Sequence, residues 1–142
     1  DLGDIIECTG TAGGVPTLRF AGRGDGTSDL VGEKLEDGFV AATLASLPCL
    51  AVLVAASAPP GYVLASEAAL DPATLARFEA RLCTNPQYAH ARAIGQLAPL
   101  RLVHRPGLSG EMVRNGLAAG RRMGDLKPVA LVPPGGAGWL DL

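Results

Sequence analysis

An unbroken apolar run from Leu50 to Ala56 is followed almost at once by Ala58-Pro59-Pro60-Gly61 and a second apolar segment, Tyr62 to Ser66. No other stretch constrains the fold as much. The run is far shorter than the roughly 20 residues a membrane-spanning helix needs, so Cys49 to Ala56 reads as a core strand. The proline-glycine turn sends the chain straight back, making Tyr62 to Ser66 an antiparallel partner at the centre of a sheet.

The remaining elements fall on either side of this hairpin. Asp4 to Thr9 and Val15 to Ala21 read as two further strands, joined by the glycine-rich Gly10–Gly14 as a β-hairpin. A joint follows, GRGDGTSDLVGEKLED from Gly22 to Asp37, whose glycines allow tight bends and whose charges alternate in sign like a solvated or ligand-facing segment. From Leu35, apolar residues recur at helical spacing through Phe39, Val40, Thr43, Leu44 and Leu47 until Pro48.

Asp71-Pro72 and Asn85-Pro86 each combine a capping side chain with proline at the first helical position, predicting two consecutive helices. Pro99 to His104 reads as a strand, and Ser109 as the cap of another helix. GDLKPVALVP reads as a loop entering a last strand, with a mobile tail apart from Trp139. Helices interrupt the strands, yet the central pair is a tight hairpin. The expected fold is therefore α+β, a small mixed or antiparallel sheet covered by helices and preceded by a β-hairpin.

With 142 residues there is room for one ordinary core, built from Leu, Val and Ala because aromatics are scarce. The net charge of −2 gives no footprint for nucleic acid or an anionic membrane. Cys8, Cys49 and Cys83 are odd in number and lack metal-type spacing, which points to a reducing, cytoplasmic setting and to cysteines acting as buried small hydrophobes. The first residues lack an initiator Met and a signal pattern, suggesting a piece of a longer protein.

Several chemistries are weak on these residues. Neither GxGxxG nor a Walker-type phosphate loop occurs, and two histidines without clustered Cys or carboxylates make no zinc site. Cys83, Asn85, His90 and His104 supply the residue types of a thiol nucleophile and its base, at undiagnostic spacing. Ser109 lacks the GxSxG elbow. Three charged positions remain. Asp4 is either a turn carboxylate or an acceptor for a ribose diol. Lys127 is either a solvated lysine or a mobile charge for a phosphate or carboxylate. Arg23 reaches an anion or pairs with Asp25 or Asp29.

The order of several segments, LGD before a strand, then FAGRGDGTSDLVGEKLED, PGYVL, NPQYAHARAIGQLAPLR and GDLKPVAL, resembles the carboxy-terminal part of the auxin-responsive acyl acid amido synthetase family, its bacterial members more than its plant ones. That family belongs to the adenylate-forming superfamily, in which a small carboxy-terminal domain swings over a large amino-terminal one. The resemblance covers nearly the whole chain. It implies a ligase using ATP and Mg2+, a small-molecule acid and an amino acid, with the large amino-terminal domain of the same protein as partner.

Carried over position by position, the resemblance makes Asp4 the ribose-binding aspartate, and Arg23 and Asp25 the Arg-x-Asp element of the hinge. It makes Lys34 a lysine near the nucleotide and Lys127 the late catalytic lysine. Residues 1–24 would be the terminal strand pair and hinge of the missing large domain, and 25–142 the lid. The usual Tyr-Arg before the Gly-Asp element is missing, and GDLKP stands where acyl-CoA ligases carry PxxxxGK. The fragment alone is expected to be inert and to bind no cofactor. The alternatives are a free-standing α+β binding or regulatory module, separated by the reading frame upstream of Asp1, and the lid of an acyl-CoA ligase.

Overall fold

The computed structural model describes residues 4–23, 26–126, 128–136 and 138–140, and for residues 4, 5, 7, 19–23 and 125 the backbone alone. Its centre is a four-stranded mixed sheet. Strands β5 (Ala51–Ser57) and β6 (Pro60–Ser66) form the expected antiparallel hairpin, in register from Ala51↔Ser66 to Ser57↔Pro60. Strand β7 (Arg101–His104) lies parallel to β6, and β8 (Leu131–Val132) parallel to β5, so the order is β7-β6-β5-β8. The α+β expectation holds, with the sheet mixed.

The unbroken apolar character of β5 follows from this position. Successive strand side chains point to opposite faces, and both faces are covered. Ala51, Leu53, Ala55, Tyr62 and Leu64 join one core with side chains from three helices, α1 (Asp37–Leu44), α2 (Pro72–Leu82) and α3 (Pro86–Ala93). Val52, Val54, Val63 and Ala65 join a second core with Leu108 of helix α4 (Leu108–Ala118), Val132 and Leu140. The α2–α3 pair forms the crossover that a parallel β6–β7 connection requires.

Both predicted caps form. Asp71 Oδ1 accepts from the Thr74 amide at 2.7 Å, and Asn85 Oδ1 from the amides of Gln87 and Tyr88 at 2.9 and 3.0 Å. Helix α4 differs from expectation: its cap position is Gly107, at φ 82°, and Ser109 lies inside the first turn. The orphan amide of Ser109 is satisfied from a distance by Glu67 Oε1 at 3.2 Å, which also accepts from the Ser109 hydroxyl at 2.6 Å. These bonds hold the Glu67 carboxyl below its ordinary pKa.

Other boundaries shift for local reasons. The first hairpin, β1 (Asp4–Ala12) and β2 (Val15–Arg23), closes on Gly13-Gly14, both at positive φ as a two-residue primed turn requires. Leu35 belongs not to the first helix but to a short ladder, β3 (Thr27–Ser28) with β4 (Leu35–Glu36), so α1 begins at Asp37. The cysteines are not buried: Cys8 and Cys83 are exposed and Cys49 half-buried, because Cys83 ends α2 and Cys8 sits on the first hairpin. In the tail, Leu140 is fully buried against the second face, with Trp139 packed beside it.

Candidate functional site

Among the residues singled out by sequence, the structure brings two into register. Asp4 and Arg23 are direct cross-strand partners at the open end of the first hairpin. Their backbones alone are described. Asp25 and Lys127 lie outside the described residues.

From Gly26 to Asp37 the joint is a closed loop with exposed Asp29, Lys34 and Glu36 and buried Ser28, Glu33 and Leu35. It is closed by the β3–β4 ladder and by the Asp37 amide donating to the Gly26 carbonyl at 2.9 Å. At its heart is Glu33, a charged residue with no exposed surface. A buried carboxylate is tolerable only when its acceptors are filled. Glu33 accepts from the Leu30 amide at 2.9 Å and the Val31 amide at 2.8 Å, and from the Tyr62 hydroxyl of the central hairpin through a very short hydrogen bond.

Buried Ser28 lies 2.9 Å from the same hydroxyl, and Asp29 closes the loop by accepting from the Gly32 amide at 2.7 Å. Burial, and then the Glu33 carboxylate, push the Tyr62 phenol far above its ordinary pKa. The alternating charges of this stretch thus conceal one internal anion, which its sequence neighbours mask.

Lys34 follows directly. It is the one non-glycine residue at positive φ among the described residues, at 45°, and its side chain is exposed between fully buried Glu33 and Leu35. A left-handed residue costs on the order of 1–2 kcal/mol, and it persists where its surroundings over-determine it. The anchored flanks do this, turning Lys34 outward as a fixed cation.

The same loop is tied to the segment that follows Lys127. The Leu131 amide donates to Asp37 Oδ1 at 3.2 Å, and the Ala130 carbonyl accepts from the Leu53 amide at 2.9 Å. Gly26, Asp37 and Leu131 therefore form a continuous hydrogen-bonded path from the start of the loop to strand β8. Leu126, Pro128 and Val129 wall a cleft of about 250 Å³ with Met112, Val113 and Trp139. Gly116 admits this wall, since a Cβ there would lie 2.4 Å from Leu126 Cδ2.

The thiol chemistry considered from sequence gains no support. Desolvation, with the Glu79 charge, raises the Cys83 pKa and favours the unreactive thiol. Among the described residues no three His, Cys, Asp or Glu side chains are grouped to hold a metal ion, and no helix is long and apolar enough to cross a membrane. Sequence reasoning missed Glu33, Tyr62, Ser28 and Asp37. A buried loop glutamate is indistinguishable from a solvated one until the fold puts a tyrosine hydroxyl over it.

No protein-family model and no curated protein sequence matches the chain. Among solved structures it is similar to one titled "GH3.15 acyl acid amido synthetase", with a TM-score of 0.62 and 16% identity over 92% of this chain. The likeness is one of fold. This chain spans 28% of the length of that one.

Proposed function

We propose that this chain is the carboxy-terminal lid of an adenylate-forming acyl acid amido synthetase, a longer protein whose large domain holds most of the ATP and acyl site. The observation that carries the reading is the fold likeness over 92% of the chain to an acyl acid amido synthetase of which it spans 28%. It agrees with the segment order read from the sequence. In this reaction a carboxylic acid displaces pyrophosphate from ATP to give an acyl-adenylate, and an amino acid amine then displaces AMP to give the amide.

The chain's own residues contribute charge and a pivot. Asp4 accepts from the ribose hydroxyls, and Arg23, its cross-strand partner, lies on the nucleotide side. Asp25 marks the pivot, with residues 1–24 on the body and 25–142 on the lid. Lys34 is presented by the Glu33-anchored loop near the nucleotide. Lys127 reaches the α-phosphate and the attacking carboxylate only when the lid closes. A lysine delivered by closure neutralises charge as it develops, which lowers the barrier without tightening the open state. The described residues carry no cluster of three His, Cys, Asp or Glu side chains for Mg2+.

The test is product analysis on the longer protein. Incubated with ATP, a panel of carboxylic acids and amino acids, it should form acyl amides and AMP. Thioester formation with coenzyme A, and none with amino acids, would reassign the chain to an acyl-CoA ligase.

A further inference from the structure

The cleft that α4 lines with Arg121, Leu126, Pro128 and Val129 has features of a ligand site that the ligase reading does not use. Its floor and walls are apolar, with Met112, Val113, Leu126 and Trp139 among them, and its volume of about 250 Å³ lies just below the usual range for small-molecule pockets. Part-exposed Val113 carries the apolar lining out to the surface.

Charge is distributed unevenly around it. At one end Ser109 is already engaged by the Glu67 carboxylate. At the other, Arg121 and Asn115 face the cleft with no side-chain hydrogen bond or ion pair among the described residues, and exposed Arg122 adjoins them. A guanidinium at an apolar mouth, with no carboxylate paired to it among the described residues, complements a ligand with an apolar body and one anionic head.

We infer that this cleft binds a short-chain apolar monocarboxylate, its hydrocarbon part against Met112, Leu126 and Trp139 and its carboxylate at Arg121. Binding there needs no ATP. Asn115 supplies a neutral donor beside the guanidinium. The Glu67 end disfavours the reverse orientation, because it would set two carboxylates side by side.

Trp139 is the sole tryptophan of the chain, so its fluorescence reports on the cleft without labelling. Titration of the 142-residue chain with hexanoate, hexan-1-ol and hexylammonium should give a saturable change for hexanoate, a weaker one for the alcohol and the weakest for the amine. Arg121→Gln, at an exposed position, should weaken hexanoate about fivefold and leave hexan-1-ol unchanged, as expected for a partly screened ion pair. Ala119→Phe, which fills the cleft from the exposed end of α4, should abolish the response to both. No saturable change, an affinity order indifferent to ligand charge, or an Arg121→Gln chain that binds hexanoate like the parent would overturn the inference. Each of these results leaves the amide-forming reaction to be judged by its own products.

Discussion

At the scale of single residues, the Glu33–Tyr62 bond is a buried side-chain link between distant parts of the chain. It joins the central hairpin to the loop that carries Lys34. Removing one partner of a buried hydrogen bond costs about 1–3 kcal/mol because the other is left unsatisfied. Tyr62→Phe should therefore destabilise the chain by about that much in urea unfolding. It should also speed amide hydrogen exchange at Leu30 and Val31, which donate to Glu33. Unchanged protection there would mean that the carboxylate holds the loop without the phenol.

The same tyrosine sets an alkaline limit. Burial raises the pKa of both Tyr62 and Tyr88 above the ordinary value of 10.0. Above that pH the unfolded chain loses phenolic protons that the folded chain keeps, so the folded state binds more protons and stability falls as pH rises. Up to about 1.4 kcal/mol is lost per pH unit for each tyrosine. The Tyr62→Phe chain should show roughly half the parent slope above pH 10. None of this was legible in the sequence, where Glu33 is one charge among seven and Tyr62 one strand residue. Their meeting depends on folding back a chain in which they stand 29 positions apart.

At the scale of elements, legibility followed how local the determining interaction is. The starts of α2 and α3 could be read because Asp71 and Asn85 cap amides only two or three residues away. The start of α4 could not, because its carboxylate comes from Glu67, 42 residues earlier. The spacing of Leu35 fits a helix, and the β3–β4 ladder that claims it depends on Gly26 and Asp37 closing the loop. Asn85→Ala should cost about 1 kcal/mol and loosen α3 first, visible as loss of amide protection at Tyr88. Leu82→Ala, at a fully buried position where α2 meets the sheet, should cost about 2–5 kcal/mol in the same unfolding measurement. A loss below 1 kcal/mol would show that the face of α2 is not packed as described.

At the scale of the whole molecule, the α+β class could be read from the central hairpin and the helices that interrupt the strands. The order β7-β6-β5-β8 could not, because β7 and β8 are short and their parallel pairing is set by where α2, α3 and α4 lie on the two faces. The hydrogen-bonded path from Gly26 through Asp37 to Leu131 ties the loop ahead of α1 to strand β8. If the chain is the lid proposed above, a rotation at Asp25 would carry Lys34 and Lys127 together.

The measurement that tests this most directly is isotope exchange between pyrophosphate and ATP in the longer protein. Exchange should depend on added carboxylic acid, and Lys127→Ala should slow it on the order of 10²-fold while leaving the KM for ATP nearly unchanged, as expected if the lysine acts in the closed state. Absence of acid-dependent exchange across a broad acid panel, or equal losses in rate and ATP binding, would contradict the account.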